Sequence, residues 1–237
     1  DPGTGADVTT HDFVNYGTFT AGANTIRVSG SWDDNATTTL TSSAVIFTAT
    51  SSTESIDETG ATTTGFNDLT LGETSGTATW RASSTLDING NLNVTYGTFS
   101  RGTSSLTIAG NLTTAANGYW TGMGTTTFDA TNPSTWTDAN ATRQNIGRVV
   151  VDGTAKTPLL GSSTTLQSLT VGADDIFDAS ISGHTVSVYE NWIINNTFTA
   201  RTGKVIFIAT TTNKIITAGG DSFYDLTFNG VGGSWSF

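Results

Sequence analysis

The sequence contains no cysteine, so no disulfide framework, thiolate chemistry or cysteine-ligated zinc site is available to it. Cations are few. Nine Lys and Arg against twenty Asp and Glu leave a net charge of -11, which repels nucleic-acid phosphates and anionic lipid headgroups, so neither is an expected partner. No stretch approaches the about 18 consecutive apolar residues that a spanning helix needs, which argues against membrane insertion. Residues that favour helices are scarce: three Lys, four Glu, two Gln and one Met. The two histidines, His11 and His184, lie far apart and offer no metal-ligand spacing. No GxGxxG, P-loop, HExxH or glycine-aspartate calcium repeat is present. No cofactor and no metal are therefore expected, and the chain reads as a non-enzyme. It opens at Asp1 with no signal peptide before it, so the N-terminus reads as either processed, as in a mature secreted protein, or cut from something longer.

Thr and Gly take the places left vacant. With 50 Thr, 27 Gly, 23 Ser and 17 Asn, about half of the 237 residues belong to a strand-and-turn vocabulary. Hydrophobic residues still make up 35%, many of them β-branched or aromatic and evenly spaced, which argues for a buried core and against disorder.

Short runs of the form apolar-x-apolar recur along the whole chain, at ADV (6–8), IRV (26–28), VIF (45–47), LTL (69–71), LDI (86–88), LTI (106–108), TTF (126–128), VVV (149–151), around Leu166, VSV (186–188), VIF (205–207) and LTF (226–228). Such runs alternate inward and outward, and each is followed by Gly, Asn or Thr that can turn the chain. One strong strand about every 20 residues predicts an all-β fold, a right-handed parallel β-helix (β-solenoid) of about twelve coils. The apolar residues of these runs, from Val8, Ile26 and Val28 to Leu226 and Phe228, are the expected inner stack. An antiparallel sandwich would show shorter spacings and more hairpin dipeptides.

A longer period lies above the first. "IRVSGSW" (26–32), "LTIAGNL" (106–112) and "VSVYENW" (186–192) stand about 80 residues apart, which predicts a single solenoid domain with four coils per unit, divided at 66–145 and 146–222. Residues 223–237, "FYDLTFNGVGGSWSF", match 66–80, "FNDLTLGETSGTATW", and residues 1–19 match 81–99, both without a gap. The two ends read as halves of one interrupted unit, so units 1–65 would be completed by 223–237 of a neighbour. The expected subunit interface is Ala6, Asp7 and Val8 at one end, and Phe223, Leu226, Phe228, Trp235 and Phe237 at the other.

Units such as "GNLNVTYGTFSRGTSSLTIAGNL" and "FYDLTFNG" resemble the tandem repeats of bacterial cell-surface parallel β-helix proteins, among them adhesin stalks and autotransporter-like passengers. The resemblance implies an extracellular, fibre-forming structural protein and brings no catalytic residues. Its partners would be copies of itself in a head-to-tail polymer or neighbouring repeats of a longer chain, and glycans under an alternative reading as an adhesin stalk that binds glycans or a host surface. A second alternative is a polysaccharide lyase or hydrolase, for which Asp33-Asp34, Asp57-Glu58 and Asp174-Asp175 are the candidate carboxylate pairs. Neighbours in a strand point to opposite faces, so solvated corners are the plainer reading of these pairs. Trp120 and Trp136 fall outside the repeat ladder and are the better aromatic candidates for surface contact, but core or corner packing is the favoured reading.

Overall fold

A computed structural model describes residues 7–60, 64–130 and 133–237. Ala6 lies outside the described residues. Those described contain strands, turns and bends but no helix, and every strand pairing is parallel, so the fold is a β-solenoid of about eleven turns. The chain divides into two compact units, Asp1–Gly124 and Thr125–Phe237. The faces of unit 1 are named in chain order from Val8–Thr10, and those of unit 2 from Ser134–Asp138.

In unit 1 each turn carries three strand positions. The first face stacks Val8–Thr10, Thr25–Val28, Ala44–Phe47 and Asp68–Leu71, followed by the opening residues of the long strands Leu92–Ser100 and Leu112–Thr121. The second stacks Phe13–Asn15, Trp32–Asp34, Thr53–Asp57 and Thr79–Ala82, then the closing residues of the same two long strands. The third holds Thr18–Thr20 on Thr37–Thr39, and Leu86–Ile88 on Leu106–Ile108 with Phe66 bridging to Ile88. In-register pairing puts like on like, so that Ile26, Val45, Leu69, Leu92 and Leu112 form one continuous inward row, all buried. Burying each such side chain contributes about 1.5–3 kcal/mol.

Unit 2 repeats the scheme. Its first face stacks Ser134–Asp138, Pro158–Leu160, Ile176–Asp178 and Thr197–Thr199. The second stacks Thr164–Leu166, Thr185–Val188, Lys204–Phe207 and Asp225–Phe228. The third runs from Thr125–Phe128 through Arg148–Val151, Ser168–Val171, Trp192–Ile194 and Lys214–Thr217 to Trp235–Ser236.

The structure refines the count taken from spacing. The described residues make about eleven turns, close to the twelve expected, and the strong apolar runs do not share one face. Those at 8, 26, 45 and 69 stack on the first face of unit 1, while those at 86 and 106 stack on its third. From Ile26 to Leu106 the chain passes eleven strand positions, three to a turn, so a repeat of about 80 residues falls one position short of four turns. Unit 2 shows the same step back, because Arg148–Val151 lies on the third face and its match Asp225–Phe228 on the second. The other strands of each turn are hard to see in sequence because they are as plain as TTT (37–39) or WDD (32–34) and pair through the backbone.

Aromatic side chains fill the interior where aliphatic ones leave room. In unit 1 Trp32 stacks on Phe13 at 3.8 Å and lies 5.3 Å from Phe66, and in unit 2 Trp192 sits among Phe177, Phe198, Phe207 and Phe223. Trp120 and Trp136, the candidates for surface contact, are both buried, each packed on a phenylalanine. Core packing is their role, because the inward register of their strands decides it.

Candidate functional site

The last turn of unit 2 is open. Strand Asp225–Phe228 pairs with Lys204–Phe207, and Trp235–Ser236 with Lys214–Thr217, but no described strand covers the far edge of either. The inward positions show the consequence. Val205 and Phe207 are 2% and 0% exposed, whereas Leu226 and Phe228, one turn later in the same rows, are 37% and 46% exposed. Val8, Leu226 and Phe228 were expected inside; they are only partly covered because they belong to end turns. A terrace of rings leads outward: Phe228 stacks on Phe207 at 5.5 Å, Trp235 lies 5.0 Å from Phe228, and Phe237 meets Phe228 edge-on at 6.5 Å with its own face in solvent. Phe223 anchors the terrace from below, 5.8 Å from both Trp192 and Phe198. Five of the expected interface residues, Phe223, Leu226, Phe228, Trp235 and Phe237, are thus brought together. Val231 and Tyr224, which sequence reading passed over, add exposed apolar surface in the same turn.

Asp7 and Val8 belong to the first turn of unit 1. Val8 pairs with Ile26, and the Asp7 carboxylate accepts from the Arg27 guanidinium at 2.8 Å. Arg27 is also held by Glu73 at 3.1 Å, and these two carboxylates raise its pKa. Beyond them the turn exposes Val14 and Tyr16. In the sequence match Phe13 falls on Asn93, yet Phe13 packs inward on Trp32 while Asn93 lies between the buried Leu92 and Val94. The first turn therefore departs locally from the repeat.

The carboxylate pairs serve corners. In each the two groups part company: Asp34 is buried and accepts from Asn15 Nδ2 at 3.1 Å, while Asp33 on the outer side accepts from Asn35 Nδ2 at 2.6 Å. Asp175 is buried and accepts from the Lys156 N–H at 2.7 Å; Asp174 accepts from the Ala155 N–H at 3.3 Å. Burial raises the pKa of Asp175, against the pull of its bond to Lys156. Burial likewise pushes Glu58 up to about 8, helped by the negative charges of Asp87, Asp34 and Asp57. A recurring bond explains why Asp and Asn crowd these corners, since the side-chain oxygen accepts from the N–H two residues on at Asn15, Asp34, Asp57, Asp138, Asn145 and Asp178. His184 loses proton affinity through burial and the nearby Arg143. Among the described residues no group of three His, Cys, Asp or Glu is arranged to hold a metal ion, and no helix is long and apolar enough to cross a membrane.

Fold and site together define a parallel β-solenoid whose last described turn presents an uncovered apolar edge. No protein family, no curated protein and no solved structure matches the chain.

Proposed function

We propose that the chain is a structural subunit or segment of an extracellular, cell-surface filament, in which the open turn of unit 2 is covered by the first turn of a second copy. The observation that carries this reading is the exposure of Leu226 and Phe228 in rows that are otherwise buried. A parallel edge with unpaired N–H and C=O groups above an apolar terrace accepts a further coil of its own kind. Covering Leu226, Phe228, Val231 and Phe237 contributes about 1–2 kcal/mol each, beyond the backbone bonds gained.

The choice of occupant rests on the repeat. Within unit 1 the stretch 66–80 is followed and covered by the chain that continues from 81, with Leu92–Val94 on Leu69–Leu71 and Thr98–Ser100 on Thr79–Arg81. Residues 223–237 match 66–80, and residues 1–19 match 81–99. A second copy's opening residues are thus the segment of matching type for this edge. The resemblance to surface β-helix repeats and the Thr, Ser and Asn-rich composition support an exterior location.

The test is a concentration series followed by electron microscopy and sedimentation. The full chain elongates, whereas L226D/F228D, altered only at partly exposed positions, and a chain lacking 223–237 stay folded and monomeric. A full chain that remains monomeric at high concentration, or a double variant that still elongates, overturns the reading.

A further inference from the structure

On its second face, unit 1 carries an outward row in strict register, Ser55, Arg81, Ser100 and Thr121. Its one cation is unusual for so acidic a chain. Arg27 is held between Asp7 and Glu73, and Arg201 by Asp178, but the exposed Arg81 side chain has no hydrogen-bond or ion-pair partner among the described residues. Arg81 stands between two shallow clefts. One, of about 320 Å³, is lined by Arg81, Ser100, Arg101, Thr103 and Ser104; the other, of about 270 Å³, by Ser31, Thr53, Glu54, Ser55 and Arg81.

Arg101 borders the first cleft, but its side chain turns inward and is buried. Its guanidinium lies 5.2 Å from the centre of the Trp120 ring and donates to the Gly124 carbonyl at 3.3 Å, so the charge is fixed in place. Burial lowers its pKa to about 10, which leaves it cationic at neutral pH. Arg81 is therefore the one reachable cation of a concavity lined by three hydroxyl side chains, and Arg101 is a fixed, enclosed positive charge behind it. Tyr119 extends the surface: it pairs with Thr98, two positions before the pairing of Thr121 with Ser100, and its ring is exposed.

We propose that this flank of unit 1 binds an acidic glycan, with Arg81 receiving its carboxylate or sulfate group, the buried charge of Arg101 adding to the local positive field, and Tyr119 taking the apolar face of a sugar ring. Glu54, which accepts from Ser31 Oγ at 2.9 Å, places a negative charge in the second cleft. The acidic group is thereby directed to the first cleft, and uncharged ring hydroxyls face the second. A nucleic acid fits less well, because it brings a phosphate at every step against a chain of net charge -11. An intermittently charged sugar chain meets mainly the local field, since fields beyond about 8–10 Å are screened at physiological salt. The surface belongs to unit 1 and shares no residue with the open turn of unit 2, so this inference stands or falls separately from assembly.

The experiment titrates the full chain by calorimetry with an oligosaccharide bearing a uronate on alternate sugars, a sulfated oligosaccharide, a neutral glucose oligomer of equal length, and free sulfate. Either acidic oligomer, or both, binds at least about tenfold more tightly than the neutral one and than free sulfate, and the pair identifies which anion is preferred. R81Q, at an exposed position that leaves the melting temperature unchanged, weakens acidic binding by about tenfold or more, as expected for a lost charge-assisted bond. Y119A weakens it too, while K214Q and L226D/F228D bind as the parent does. Equal binding of neutral and acidic oligomers, no binding of either acid, or an unaltered affinity in R81Q overturns the proposal.

Discussion

Replacing Glu58 by Gln tests whether a buried carboxyl makes the stack sensitive to pH. Glu58 accepts from the Asp87 N–H at 3.3 Å through one oxygen, and its other oxygen is buried without a partner. Burial, with Asp87, Asp34 and Asp57 nearby, raises its pKa from 4.5 to about 8. The folded state thus binds this proton more tightly than the unfolded chain. The resulting stability is full below the unfolded value, declines as pH rises past it, and is gone once pH passes the folded value. Each unit of pKa is worth about 1.4 kcal/mol, so the whole span sets a ceiling of roughly 5 kcal/mol, which solvent reaching the partly exposed carboxyl trims to about 2–4 kcal/mol. Gln keeps the shape and the acceptor but cannot ionise. Urea unfolding followed by circular dichroism between pH 4.5 and 8.5 should show the parent losing stability with rising pH. E58Q should match it near pH 4.5 and exceed it by about 2–4 kcal/mol at pH 8.5. Asp175 in unit 2, also raised by burial, adds a smaller slope of the same sign, so some dependence remains in E58Q. The same slope in both proteins, or a parent more stable than E58Q at pH 8.5, would refute the reasoning.

Two further predictions concern packing. Trp192 is fully buried among four phenylalanines and its indole N–H has no partner; W192A should cost about 3–5 kcal/mol in urea unfolding, and W192F much less, because it removes that orphaned donor along with part of the ring. A Cβ at Gly118 would fall 2.1 Å from the Val94 carbonyl oxygen, whereas one at Gly17 meets nothing within 4 Å. G118A should therefore lower the melting temperature by several degrees, while G17A leaves it unchanged or slightly higher.

The fold class was legible because apolar-x-apolar runs survive in every turn, and eighteen of the expected inward residues, all but Val8, Leu226 and Phe228, are buried. The number of turns was less legible. A strand such as Thr18–Thr20 or Thr37–Thr39 has no apolar alternation of its own and is fixed by its neighbours' backbone, so counting strong runs missed two strands in each turn. The bend within Leu92–Ser100 was also hidden, since it arises where register slips against Leu112–Thr121 between Val94 and Tyr96. The grouping of Phe223, Leu226, Phe228, Trp235 and Phe237 in one turn was legible because these residues follow one another in a single copy of the repeat. The Arg81 flank was not, because its parts come from separate turns and only stacking unites them.

The step of one face per repeat gives this contrast a physical meaning. Whatever every repeat carries is distributed over all the faces in turn, so repeated residues suit the common core and the corners and cannot by themselves single out one side. A residue that marks one side must break the repeat. At offsets of about 80 residues, Arg81 corresponds to Asp1 and Gly161, Arg101 to Ala21 and Ile181, and Tyr119 to Thr39 and Thr199. Arg81 and Tyr119 are not scaffold residues and present exposed side chains on the same face of unit 1, while Arg101 is buried behind it. Leu226, by contrast, corresponds to Leu69 and Val149, and Phe228 to Leu71 and Val151, all of them buried core positions. The open turn therefore has the chemistry of an interrupted core, which another coil of the same kind completes, and the Arg81 flank has the chemistry of a site laid over the scaffold. Substitutions at Leu226 and Phe228 should accordingly alter assembly and leave glycan binding intact, and substitutions at Arg81 and Tyr119 should do the reverse.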